Sequence, residues 1–251
     1  MRLHEQVAII TGGNSGIGQA VALRFAAEGA RVVIAARDPE RASAVVEAIR
    51  AQGGEAVFVP CDVGSAEQCQ HVVEQAVARW GKLDILVNNA GIILRNHTVL
   101  ETTLEQWESM FDVNSKGVFL MSKYALPHLI ASHGNIVNVS SYAGLVGFKG
   151  AAAYCASKGA VVQLTRAMAV DHAADGVRVN CVCPGSVHTP MIEAAWANYG
   201  EGAQQVWESK HPLGRIATPE EVASAILYLA SSEASFITGV ALAVDGGITA
   251  G

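Results

Sequence analysis

Short apolar runs rich in β-branched residues recur along this chain, among them Val7-Ala8-Ile9-Ile10, Val32-Val33-Ile34-Ala35-Ala36 and Val179-Asn180-Cys181-Val182-Cys183. Runs that are largely continuous rather than alternating suit strands covered on both faces. They predict strands near residues 6–11, 31–36, 55–59, 83–87, 134–140, 177–183 and 240–244. The intervals between them carry helical patterns and span a dozen or more residues, the length that crossovers between parallel strands require. The expected fold class is α/β, a doubly wound parallel sheet in a three-layer α/β/α arrangement. No Pro/Ser-rich linker, charge block or low-complexity tract divides the 251 residues, so one domain spanning 1–251 is expected.

In such sheets ligands bind beyond the carboxyl ends of the strands, at the point where the strand order reverses. Behind the first run comes Thr11-Gly12-Gly13-Asn14-Ser15-Gly16-Ile17-Gly18, and then the helical Gln19-Ala20-Val21-Ala22-Leu23-Arg24-Phe25. A strand, a glycine turn and a helix together have the form of a Rossmann-type dinucleotide cradle. Glycines let the backbone approach a pyrophosphate, and the helix N-terminus offers unpaired N–H groups and a positive dipole end. The spacing Gly12-x-x-x-Gly16-x-Gly18 departs from the general G-x-G-x-x-G fingerprint, and a tight turn alone would also use such glycines.

A second feature lies in Tyr154-Cys155-Ala156-Ser157-Lys158, which places a phenol and an ammonium four residues apart on one helix face. A free tyrosine hydroxyl titrates near pH ~10, too high for a base at neutral pH, and a nearby positive charge favours the phenolate. The pair is a candidate proton-transfer device, although an ordinary surface pair has the same pattern.

Composition narrows the setting. With 51% hydrophobic and 16% charged residues the chain has ample material for a large buried core, and its mean hydropathy is positive. No uninterrupted apolar run approaches the ~18 residues of a membrane span, and Met1-Arg2-Leu3-His4-Glu5-Gln6 does not read as a signal peptide. A soluble, cytoplasmic protein is expected. The net charge of −6 without a basic cluster argues against nucleic-acid or anionic-membrane partners. The five cysteines are odd in number. Cys181 and Cys183 share one strand face as buried thiols, and Cys61 and Cys69 lack histidine spacing for zinc, so no metal is expected.

Taken together, T-G-x-x-x-G-x-G from Thr11, Asn88-Asn89-Ala90-Gly91, Asn114, Ser141, Tyr154, Lys158 and Pro184-Gly185 follow one another in an order and spacing that resembles the short-chain dehydrogenase/reductase family. The resemblance covers essentially the whole chain. It implies an oxidoreductase with Tyr154 as proton donor or acceptor, Lys158 lowering its pKa, Ser141 holding the substrate oxygen, and Asn114 holding a water near Lys158. Ser141 is preferred to Ser140 because it precedes Tyr154 by thirteen residues, the separation usual in the family. By the same resemblance the cofactor would be held by Gly12, Asn14, Ser15, Gly16, Ile17 and Gly18, by Asp62 and Val63 at the adenine, and by Asn88, Ala90 and Gly91 at the adenine ribose. Pro184, Gly185, Val187 and Thr189 would lie at the nicotinamide, and Tyr154 and Lys158 would hold its ribose.

The end of the second run bears on cofactor choice. An acidic side chain there would bond the ribose hydroxyls of NAD and repel a 2′-phosphate, whereas a guanidinium can hold that phosphate. Ala36 stands where NAD-preferring relatives carry Asp, and Arg37 follows. NADP is therefore expected, with NAD as the alternative.

The substrate pocket is expected between Ile93–His97, Tyr142–Phe148 and a lid from His188 to Pro212, with Ser141, Ala143, Tyr154, Met191 and Trp196 touching substrate. The lid aromatics Trp196, Tyr199 and Trp207 suggest an apolar pocket. The first expectation for the substrate is a small or cyclic secondary alcohol, sugars included, and its ketone. A 3-oxoacyl carrier-protein reductase ranks second, because Ser132 and Asp175 stand where such reductases carry arginines for the acidic carrier. A small hydroxy-acid dehydrogenase, with Arg95 or Lys210 on the carboxylate, comes next, and a non-catalytic nucleotide sensor last. Long helical patterns at 103–131 and 153–174, apolar on more than one face, suggest burial between subunits of a homotetramer.

Overall fold

The computed structural model describes residues 1–200 and 202–251, with the side chains of 197–199 also left aside. Seven parallel strands form one sheet: β1 (Val7–Thr11), β2 (Arg31–Ala36), β3 (Glu55–Pro60), β4 (Ile85–Asn88), β5 (Asn135–Val139), β6 (Arg178–Pro184) and β7 (Ala241–Val244). Their spatial order is β3-β2-β1-β4-β5-β6-β7. The chain therefore reverses direction across the sheet between β1 and β4, the switch point where a ligand crevice opens.

Alternation within each strand feeds two cores. Ala8 and Ile10 of β1 pack with Val21 and Phe25 of α1 (Gly16–Ala27), with Val46 of α2 (Pro39–Ala51) and with Ile226. Val7 and Ile9 face the other way, onto Val72 of α3 (Ala66–Trp80) and onto Met121 and Leu129. Both faces of the sheet are thus covered, which explains why the strands lack a regular alternation of apolar and polar positions. Among the described residues no helix is long and apolar enough to cross a membrane.

Two sequence expectations shift. The fourth strand begins at Ile85 instead of 83, because the Asp84 carboxylate takes the Val7 N–H at 2.7 Å in place of a ladder bond. The single helix expected over 103–131 is three pieces: α4 (Leu104–Phe111), a π-helical turn (Asp112–Lys116) and α5 (Gly117–Ser132). Such a turn inserts a residue into a helix, frequently at a functional site, and here it carries Asn114. The helix expected at 153–174 is α6 (Ala152–His172).

Candidate active site

At the carboxyl edge of the sheet a cavity of about 470 Å³ is lined from β1 through β6 and by the segment after β6. Thr11 closes β1. Its Oγ1 accepts from the backbone N–H groups of Asn89 and Ala90 at 2.9 and 3.0 Å, which welds the ends of β1 and β4 together. The following turn has Gly12 at φ +64°, a region a side chain enters with strain. Gly12, Asn14, Ser15, Gly16 and Ile17 all line the cavity. Gly18 does not. A Cβ there would stand 2.2 Å from the Gly12 carbonyl oxygen, so Gly18 is needed for α1 to seat against the turn. The N-cap Ser15 makes no side-chain bond to the first turn of α1, which leaves the donors of that turn turned toward the cavity.

The asparagine pair after β4 divides differently from the expectation. Asn88 is buried and donates to Asn138 Oδ1 at 2.9 Å and to Ser122 Oγ at 3.1 Å, away from the cavity. Asn89 faces the cavity instead, with its amide on the carbonyls of Thr11 and Gly12. Successive side chains at a strand end point to opposite faces, so only one of the two can do this. Ala90 and Gly91 also line the cavity. A Cβ on Gly91 would come within 3.2 Å of both Lys158 Nζ and Asn114 Oδ1, so this glycine keeps room for the Lys158 ammonium.

At the outer end Ala36, Arg37, Asp38, Arg41, Cys61, Asp62 and Val63 line the wall. Asp38 caps α2 through the Arg41 N–H and pairs with the Arg41 guanidinium at 3.4 Å. Its carboxylate is thereby offset, and Arg41 joins Arg37 as a second cation that the sequence reading did not single out. Asp62 Oδ1 accepts from the Gly64 N–H at 2.9 Å and shapes the loop after β3.

Tyr154 and Lys158 project from α6 into the inner end of the cavity, beside Ser141 from the end of β5. Ser140 also lines the cavity, but its hydroxyl is bound to the Lys158 carbonyl at 2.8 Å. The Ser141 hydroxyl hydrogen-bonds the Tyr154 phenol, which favours the phenolate, and it also accepts from the Ala143 N–H at 3.2 Å. Lys158 Nζ donates to the Val139 carbonyl at 2.9 Å and stands 6.0 Å from the Tyr154 ring centre. Burial holds its pKa down, at about 8. Burial also pushes the Tyr154 phenol up, against the opposing influence of Ser141 and of Arg95. Asn114, expected to hold a water, has its amide taken up by protein. It accepts from the Ile92 N–H at 2.8 Å and donates to the Ile92 carbonyl and to Ser157 Oγ.

Pro184, Gly185, Val187 and Thr189 line the cavity beyond β6. Over it lie α7 (Pro190–Tyr199) and α8 (Ala203–Glu208), with Met191 and Trp207 on the cavity. Trp196 is turned away, packing in a cluster with Ile192, Ala195, Trp207 and Ile216 and against His188. Ala143 is likewise buried beneath the wall. Tyr199, named with the lid aromatics, has its side chain outside the described residues. The positions they leave are taken by Ile92, Ile93, Arg95, Tyr142 and Phe148. His211 was missed. Its buried ring accepts from the Ser186 N–H at 3.0 Å and bonds the Trp207 carbonyl at 2.9 Å, tying α8 to the loop after β6. Cys181 and Cys183 are buried with their sulfurs 3.9 Å apart.

The glycine turn, the open first turn of α1 and the Gly91 cleft together fit a dinucleotide. Comparison with known proteins agrees. A family profile described as "Enoyl-(Acyl carrier protein) reductase" matches residues 12–249. The chain is 44% identical to a meso-2,3-butanediol dehydrogenase of Serratia marcescens over 100% of this chain and 97% of that protein. It is 42% identical to a cis-4-hydroxycyclohexanecarboxylate dehydrogenase of Sinomonas cyclohexanicum over 98% of this chain and 97% of that one. A crystal structure of a short-chain type dehydrogenase/reductase from Mycobacterium marinum superposes with a TM-score of 0.94 at 38% identity, covering 99% of this chain and 97% of the other.

Proposed function

Since the chain belongs to the short-chain dehydrogenase/reductase family, we propose that it interconverts a small or cyclic secondary alcohol and its ketone, with Tyr154 as the acid/base. The observation that carries this is the meeting of Tyr154, Ser141 and Lys158 in the same cavity as the glycine turn. A nicotinamide dinucleotide bound there would supply or accept the hydride.

The residues supply the rest. In ketone reduction the developing alkoxide needs a proton and a donor aimed at it. Tyr154, a phenol whose pKa burial raises further, gives the proton. Ser141, which shares a hydrogen bond with the phenol, holds the same oxygen. Lys158, anchored on Val139, steadies the phenolate that results. Asn114 acts by position, fixing Ile92 against Ser157 so that the wall beside Lys158 keeps its shape.

The relatives named for butanediol and hydroxycyclohexanecarboxylate support an alcohol of this size. NADP(H) is the proposed cofactor, supported by Ala36, Arg37 and Arg41 at the end of β2. A carrier-protein substrate is not favoured, since the Ser132 hydroxyl is bound to the Leu83 carbonyl and Asp175 pairs with His172. Exposed Leu104, Trp107, Phe119 and Val170 on α4, α5 and α6 support self-association, proposed as a homotetramer, in which other copies cover them. The reading is tested by following nicotinamide absorbance with cyclohexanone and its ring-substituted analogues. Turnover is expected, and none across such ketones with either nicotinamide would refute it.

A further inference from the structure

Behind the cavity wall the π-helical turn (Asp112–Lys116) packs against α6, and Ser157 stands at their contact, fully buried. Its hydroxyl donates to the Tyr154 carbonyl at 2.9 Å and accepts from the Asn114 side-chain N–H at 3.0 Å. Its own carbonyl accepts from the Ser115 hydroxyl at 2.9 Å. One serine thus joins the helical turn between Tyr154 and Lys158 to the π-helical turn at two points.

The residue type carries a local cost. In a helix interior serine is a poorer helix former than alanine, and a hydroxyl bonded back to the preceding turn competes with the helix instead of supporting it. Burying that hydroxyl also removes it from water. Packing alone would be met by alanine, and Ala153, four residues earlier on the same face, is buried without a polar group. What offsets the cost is the hold on Asn114. The amide oxygen of Asn114 takes the Ile92 N–H at 2.8 Å, and its nitrogen donates to the Ile92 carbonyl at 2.9 Å and to Ser157. Without the Ser157 hydroxyl the second N–H would have only the Met110 sulfur, 3.4 Å away and a weak acceptor.

The effect reaches the reacting groups. Asn114 Oδ1 and Lys158 Nζ each lie 3.2 Å from the point a Cβ on Gly91 would occupy, so amide and ammonium border one small space. Lys158 is in turn bound to Val139 of β5. The first turns of α6 are therefore pinned to the sheet at Lys158 and to the π-helical turn at Ser157, and these two anchors set the place of the Tyr154 phenol.

We propose that Ser157 is a positioning residue for proton transfer: its hydroxyl holds α6 in register with the Asn114 turn and so fixes where the Tyr154 phenol meets the substrate oxygen. This rests on the oxidoreductase reading above and adds to it a residue that lies outside the cavity lining.

The test compares native protein, Ser157→Ala, Asn114→Ala and the double variant. Each is assayed in light and heavy water with cyclohexanone or the ring-substituted ketone that the native protein reduces, and its affinity for NADPH and NADH is measured by fluorescence. Ser157→Ala should lower kcat roughly ten- to a hundredfold, with KM and dinucleotide affinity held within about twofold. The solvent deuterium isotope effect on kcat should rise, because a displaced phenol makes the proton step limiting. The double variant should be no slower than the slower single one, since the hydroxyl acts through the Asn114 amide. Native kcat in Ser157→Ala, an unchanged isotope effect, or single losses that multiply in the double variant overturns the proposal, while turnover by the native protein still reports an oxidoreductase. No turnover of any ketone by the native protein overturns the oxidoreductase reading and this inference with it. If Ser157→Ala does not fold, Ser157→Cys, similar in size but a weak hydrogen-bonding group, decides by the same measures.

Discussion

The Lys158 ammonium is bound to the Val139 carbonyl at 2.9 Å while standing 6.0 Å from the centre of the Tyr154 ring. It is therefore held by the sheet and not by the phenol, buried and, among the described residues, without a carboxylate partner. Its pKa falls to about 8 from the ordinary 10.5. Between those values the unfolded chain binds more protons than the folded one, so stability rises with pH. The Tyr154 phenol, raised above its ordinary 10.0, reverses the trend above that value. Urea denaturation should show stability growing from about pH 8 to pH 10. Lys158→Met should flatten the increment, and an unchanged slope in that variant would mean Lys158 is not the titrating group.

Arg37 and Arg41 flank the cavity end where a 2′-phosphate would sit. Fluorescence titration should show NADPH bound more tightly than NADH. Arg37→Ala should weaken NADPH by about 1.5–3 kcal/mol, the range for hydrogen bonds to charged groups, with a much smaller effect on NADH. Equal affinities in the native protein would instead indicate an NAD-linked enzyme.

Asn88 and Asn89 are neighbours with different tasks. Asn88→Ala leaves Asn138 and Ser122 short of a buried partner, at a cost of about 1–3 kcal/mol in stability, with dinucleotide affinity little changed. Asn89→Ala loosens the Thr11–Gly12 turn itself and should weaken the dinucleotide. Paired melting and binding measurements separate the two, and a loss of affinity confined to Asn88→Ala would reverse the assignment.

His211 joins Trp207 to Ser186 across the lid. His211→Leu should leave the buried Ser186 N–H unpaired, lower stability by about 1–3 kcal/mol and raise KM, since the lid loses its tie to the loop after β6. A variant with native KM would show that the lid is held by other contacts.

Much of this was legible in the chain. The apolar runs located all seven strands because a sheet covered on both faces leaves little else for its strands to be. The glycine turn and the Tyr154–Lys158 spacing placed the site because both are local in sequence. What the sequence left open depended on tertiary direction. Whether Asn88 or Asn89 faces the cavity is decided by the pleat at the end of β4. Whether Trp196 or Trp207 faces the cavity depends on how α7 and α8 dock, and both patterns are equally aromatic. The π-helical turn at Asn114 leaves no periodic trace, because its one extra residue is absorbed within an otherwise helical stretch. Gly18 and Ala143 belong to the motifs but lie behind the surface those motifs present.

The central claim is that Tyr154 transfers the proton while the rest of the cavity holds the reactants. Steady-state reduction of a ketone that the native protein turns over should be compared between native protein and Tyr154→Phe, with NADPH binding measured on the same samples. The expected result is a fall in kcat of roughly 10²–10⁴-fold with nucleotide affinity kept within a few fold. Native-like kcat in Tyr154→Phe, with binding intact, would contradict the account.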